Sequence, residues 1–105
     1  MIVDLSEFFK GLGDLTRQRI INLLLHHQAM NVNDLCRILN EPQSKISRHL
    51  TILRNSKWLV NYRRDHWVFY RINSDVSPQL QTVLKELFKN DLHFQTDLIN
   101  SYKDI

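Results

Sequence analysis

The stretch Glu41–Arg54, EPQSKISRHLTILR, decides how this chain is read. Ile46, Leu50 and Leu53 are spaced by four and three, which is one face of a 3.6-residue helix. The positions left to solvent hold Gln43, Ser44, Lys45, Ser47, Arg48 and His49. Pro42 suits a helix start, because its missing N–H would be unpaired in the first turn anyway. The spacing predicts a helix over about 42–55 whose outer face is either ordinary solvated surface or a set of donors aimed at a partner.

Working outward, Asn31 or Asn33 is placed to cap a preceding helix that runs through Asp34, Leu35, Ile38 and Leu39. Asn40-Glu41-Pro42 leaves only a tight turn between the two, so the pair reads as a helix-turn-helix. Asp14 is an N-cap for an earlier helix with Leu15, Ile20, Ile21, Leu24 and Leu25 as its buried stripe. That helix ends at His26 and His27, two potential cations where the helix dipole favours them. Leu5–Gly11 reads as a first, short helix, with Ile2, Val3, Phe8 and Phe9 adding to its apolar surface.

After Lys57 the period changes to two. Aromatic and β-branched residues from Trp58 to Ile72 predict a two-stranded hairpin, or wing, over about 58–72 that turns at Asp65-His66. Trp67 and Tyr70 are expected to pack the hairpin on the helices. From Ser77-Pro78 the helical period returns, predicting one terminal helix over about 77–102. Its apolar stripe, from Leu80 to Tyr102, is too wide for a peripheral helix of a 105-residue chain. The generous apolar surfaces at both chain ends imply a symmetric homodimer made by the terminal helices. The fold class is therefore mainly α with a small β-hairpin, a single winged helix-turn-helix domain over 1–105 in the order α-α-α-α-β-β-α.

The charge is uneven. Between Leu35 and Ile72 stand eight Lys/Arg against Glu41 and Asp65, a net +6, while the rest of the chain is −3. Concentrated positive charge is the footprint of a polyanion-binding surface. No apolar run approaches the ~20 residues of a membrane span. One cysteine, Cys36, makes no internal disulfide, and the N-terminus lacks a signal-peptide pattern, so a reducing cytoplasm is expected. No nucleophile, base and orienting group occur together, which argues against an enzyme.

Four segments in order, FFKGLGDLTRQRIINLLL, DLCRIL, SKISRHLTILR and HWVFYRIN, resemble the ArsR/SmtB family of bacterial dimeric repressors, most of all its arsenical-repressor branch. The resemblance covers roughly residues 5–80. It implies double-stranded DNA as the partner, with the Glu41–Arg54 stretch as recognition helix carrying Gln43, Ser44, Ser47, Arg48 and His49. Their chemistry fits: Gln pairs bidentately with adenine, and Arg with guanine or phosphate. Lys45 and Thr51 add donors on the same helix, and Arg63, Arg64 and His66 resemble the basic wing tip that reaches a neighbouring groove or its phosphates. A homodimer would set two such helices about 34 Å apart on an inverted-repeat operator. An acidic protein partner is the competing reading, and the hydroxyls of Ser44 and Ser47 argue against it. Two departures stand out: Lys57 and Asp65 occupy positions where the family usually has glycine, so differently built turns are expected there.

Family members release DNA on binding an inducer. Where the arsenical branch carries Cys-Val-Cys-Asp-Leu-Cys, this chain has Asn31-Val32-Asn33-Asp34-Leu35-Cys36, and one thiolate cannot replace several. The arsenic role is not carried over. Asp91 and His93 match half of a zinc pattern of other members, with Asp104 in place of a later histidine, which makes them weak metal candidates. Cys36, beside Arg37, is a candidate redox switch or merely a small buried hydrophobe, and a repressor with no inducer is also open.

Overall fold

The computed structural model describes residues 4–103, so Ile2 and Val3 of the first apolar stripe and the metal candidate Asp104 lie outside the described residues. Asp4 accepts from the Ser6 and Glu7 amides at 2.9 and 3.3 Å and starts α1 (Leu5–Lys10). Asp14 caps α2 (Leu15–His26) through the Arg17 amide at 3.1 Å. Most of α2 is interior: Ile20, Ile21 and Leu23 are fully buried, while Leu15, expected in that stripe, is exposed at its outer end. Gly11 lies where a Cβ would meet Ser56 Oγ at 2.5 Å and the Trp58 ring at 3.0 Å, so a side chain here would have to displace Ser56 and crowd the ring.

A short strand, β1 (Met30–Asn31), comes next; the sequence reading missed it because two residues carry no period. Asn31 then caps α3 (Val32–Leu39), accepting from the Asp34 amide at 2.8 Å, and Asn40 ends that helix in the left-handed region at φ 54°. The turn delivers α4 (Gln43–Asn55), whose Ile46, Leu50 and Leu53 are all fully buried, as their spacing predicts. Lys57 closes α4 at φ 74°, with the Trp58 amide donating back to Leu53 O at 3.0 Å, and Asp65 takes φ 57° in the hairpin turn. Both turns therefore keep the left-handed geometry that glycine favours, contrary to the expectation that they would be rebuilt. Each non-glycine residue there costs about 1–2 kcal/mol, which the surrounding hydrogen bonds hold in place.

The hairpin consists of β2 (Leu59–Arg64) and β3 (Trp67–Ile72), in register from Leu59↔Ile72 to Arg64↔Trp67. Because β1 pairs with β3 through Met30↔Tyr70 and Asn31↔Phe69, the sheet has three antiparallel strands in the order β1-β3-β2. Trp58 precedes the strand rather than opening it. Its ring is fully buried, stacks on Phe8 at 4.1 Å and donates Nε1–H to Phe8 O at 2.6 Å, pinning the start of the wing to α1.

The predicted terminal helix is two helices, α5 (Pro78–Phe88) and α6 (Leu92–Tyr102). Asp91 divides them by capping α6 through the His93 and Phe94 amides. The fold reverses here so that α6 packs on α2 and α3, with Phe88 and Phe94 rings 4.6 Å apart at the corner. A buried ion pair holds it there: Arg19 of α2 donates from Nε and Nη2 to the Asp97 carboxylate at 2.8 and 2.9 Å. Asn22 Nδ2 adds a bond to Phe94 O at 3.1 Å.

Candidate nucleic-acid interface

With the stripe of α4 inward, Gln43, Ser44, Arg48 and Thr51 are exposed and Lys45 and Ser47 are half-buried. Lys45 Nζ lies 3.1 Å from Glu41, one turn earlier, and Thr51 Oγ1 donates to Ser47 O at 3.1 Å. Exposed Arg63, Arg64 and His66 stand together at the end of the hairpin, around its two-residue turn. Gln43 at the start of α4 and His66 at the wing tip line one cleft, together with Asn31, Val32, Asn33, Trp67 and Val68. The start of α4 and the wing tip therefore meet on one face of the molecule. No described helix is long and apolar enough to cross a membrane.

His49 is a correction. Its side chain is only 7% exposed and points inward, with Nδ1 3.1 Å from Arg17 Nη1 and 3.8 Å from Asp14. Burial holds its pKa below the ordinary histidine range, only partly offset by the Asp14 carboxylate, so neutral His49 accepts a hydrogen bond from the Arg17 guanidinium. Arg17 in turn donates Nε–H to Gly11 O at 2.7 Å, so the recognition helix is fastened to the α1–α2 junction. The signal was present in the sequence: Ile46, His49, Leu50 and Leu53 complete an i, i+3, i+4, i+7 stripe, and a polar residue inside it has to be internally bonded. Trp67 is a second correction. At 46% exposed it stands on the wing surface rather than in the core, whereas Tyr70 does pack against the core.

The sensor candidates separate. Asn31 spends its side-chain oxygen on the α3 cap, and Asn33 is exposed. Cys36 is half-buried, and burial pushes its thiol up, against the activation expected from Arg37, which instead pairs with Asp34 at 3.3 Å. Asp91 is occupied as a helix cap, and among the described residues no three His, Cys, Asp or Glu side chains group to hold a metal ion. His26 and His27 are also held below the usual histidine range, chiefly by burial, rather than standing as cations at the end of α2. His27 Nε2 instead bonds Ser101 Oγ at 2.8 Å.

Residues 14–57, from the Asp14 cap to the end of α4, match the family described as bacterial regulatory protein, arsR family. The arsenical resistance operon repressor of Escherichia coli is 36% identical over 83 residues, covering 79% of this chain and 71% of that protein. The transcriptional repressor PagR of Bacillus anthracis is 34% identical over 84 residues, or 80% of this chain and 81% of its own. Its crystal structure superposes with a TM-score of 0.67 at 33% identity, covering 78% of this chain and 90% of PagR. The solution structure of Mb0332 from Mycobacterium bovis, described as a homodimeric winged helix-turn-helix DNA-binding domain, shares the fold with a TM-score of 0.72 at 18% identity, over 84% and 81% of the two chains. On helix-turn-helix, wing and sequence together, this chain belongs to the arsR family of bacterial regulatory proteins.

Proposed function

We propose that this chain is a homodimeric, sequence-specific DNA-binding transcriptional regulator that represses from an inverted-repeat operator. The observation that carries the reading is the single surface on which the exposed face of α4 and the wing tip meet, with Gln43 and His66 on one cleft. Gln43, Ser44, Ser47 and Arg48 face the major groove, Lys45 and Thr51 flank them, and Arg63, Arg64 and His66 meet the adjacent phosphates. His49 serves as an internal brace rather than a reader.

Dimerisation follows from apolar surface that the monomer leaves uncovered. Leu5 and Phe9 on α1, Val83 and Leu87 on α5 and Leu92 at the start of α6 are each more than half exposed. These are the two chain ends, and apolar clusters of this kind are buried by a partner in soluble proteins. A cytoplasmic location fits a regulator of this type.

The test is a mobility shift on the protein's own upstream DNA at two salt concentrations, with sedimentation to fix the dimer. Arg48→Ala is expected to weaken binding by about 1–3 kcal/mol, and Arg64→Ala to reduce the salt slope by about one. If neither substitution weakens binding, the α4–wing surface is not the DNA interface.

A further inference from the structure

The wing has a second face that the proposed DNA contact uses only at Arg64. Alternation along the strands places Tyr62 and Arg64 of β2 on the same side as Phe69 and Arg71 of β3; Tyr62 stands across from Phe69, with Arg64 toward the wing tip, across from Trp67, and Arg71 toward the base, across from Val60. The opposite side carries Leu59, Tyr70 and Ile72 into the core. On the outward side the Tyr62 and Phe69 rings stack at 5.5 Å and 15°, although Tyr62 remains 42% exposed. With the β1-proximal residues His27 and Gln28, these four side chains line a cleft of about 450 Å³. No carboxylate lines it, and among the described residues neither guanidinium is ion-paired; Arg71 donates only to its neighbour's carbonyl, Ile72 O, at 3.3 Å.

We infer that this cleft is a binding site for a small, flat aromatic carboxylate, its ring against Tyr62 and Phe69 and its anion on the Arg71 guanidinium at the base end, with Arg64 closing the tip end. Three observations converge on that class. The stacked rings offer a rigid apolar wall suited to another π-face. A guanidinium fork stands at either end of it, Arg64 toward the tip and Arg71 toward the base, and such a fork suits a carboxylate, the anion it binds bidentately. The volume falls within the range of small-molecule sites and holds one or two fused rings. His27 supplies a neutral back wall, already committed to Ser101 and ring-stacked on Tyr102 at 4.7 Å. The site also bears on regulation, and that part rests on the function proposed above. Arg64 belongs both to this cleft and to the wing tip, so a ligand lodged against it competes with DNA for that side chain.

The experiment uses the full chain without DNA, titrated with 2-naphthoate, its neutral analogue 2-naphthamide, inorganic phosphate and a single-stranded dT oligomer, and followed by amide chemical shifts. Expected is saturable binding of 2-naphthoate with Kd below about 1 mM, at least about tenfold tighter than the amide or phosphate, with shifts confined to the wing and His27–Gln28. Arg71→Gln and Phe69→Ala should each weaken it about tenfold or more; Arg71→Gln removes the guanidinium at a partly exposed position and leaves the rings in place, so it keeps the test sound even if the alanine variant unfolds. Equal binding of the amide or of phosphate overturns the inference, as does no saturation, or a preference of the same cleft for the dT oligomer. In a mobility shift, 2-naphthoate should lower DNA affinity of the wild type and not of Phe69→Ala. Intact DNA binding with no naphthoate binding refutes the ligand site alone, whereas failure of the Arg48 test refutes the DNA interface.

Discussion

Replacing Asp97 by alanine isolates the contact that fastens the C-terminal helix to the DNA-reading unit. Arg19 is 9% exposed and Asp97 2%, and the two are joined by parallel bonds of 2.8 and 2.9 Å. In Asp97→Ala the guanidinium stays buried, left among the described residues with its Nη2 bond to Leu39 O at 3.2 Å and the field of the Glu41 carboxylate. An uncompensated buried charge of this kind costs about 3–5 kcal/mol, against a total stability of about 5–15 kcal/mol for a chain of this size. With a urea m-value of about 2 kcal/mol/M the unfolding midpoint should fall by about 2 M. The comparison is made at one protein concentration, because dimerisation couples to stability. The apolar double variant Arg19→Met/Asp97→Leu removes both charges and should return to within about 1 kcal/mol of wild type. A loss below about 1 kcal/mol in the single variant, or a double variant no better than the single, would refute the reasoning that the pair is buried and mutually compensating.

Acid should weaken the fold before any carboxylate titrates. His49 and His27 are held neutral by burial, so the unfolded chain binds more protons once pH drops below the ordinary histidine value of 6.5. Stability is therefore full above that pH and declines from there to the depressed folded values; urea midpoints at pH 7.5 and 5.5 measure it, and His49→Gln should flatten part of the slope. A midpoint that rises on acidification contradicts the assignment. Gly11→Ala forces a methyl against Ser56 Oγ, itself bonded to Ile52 O, and against the pinned Trp58 ring. It should cost about 1–3 kcal/mol by thermal or urea unfolding, and an unchanged midpoint would show that the junction relaxes freely. Cys36 should alkylate more slowly at pH 7.5 than an unstructured cysteine peptide, since burial disfavours its thiolate. Faster reaction would restore the redox-switch reading.

The helix-turn-helix was legible because its information is local. A stripe spaced by four and three and an asparagine cap each act within one or two turns, and both reappear in α4 and the Asn31 cap of α3, while Pro42, expected in the first turn, sits one position earlier as the N-cap of α4. The hairpin was legible for the same reason, with its period of two and a two-residue turn. So was most of the candidate interface: residues spaced to leave the buried stripe of α4 are necessarily outside it.

What sequence spacing could not reveal are the contacts that join residues far apart in the chain. His49 looked like a reader because its partner Arg17 is 32 residues away, and the pairing exists only once α2 and α4 pack. The terminal helix looked continuous because its apolar stripe runs through Asp91, yet packing α6 on α2 is worth a buried ion pair spanning 78 residues, and that is what bends it back. Lys57 and Asp65 argued against left-handed turns by local preference alone. Closing α4 onto the wing, through Trp58 and the strand register, overrode that preference. Local periodicity set which residues form each element and which face each shows; long-range burial, where an unpaired polar group is costly and a paired one is not, set which of those faces were free to meet a partner.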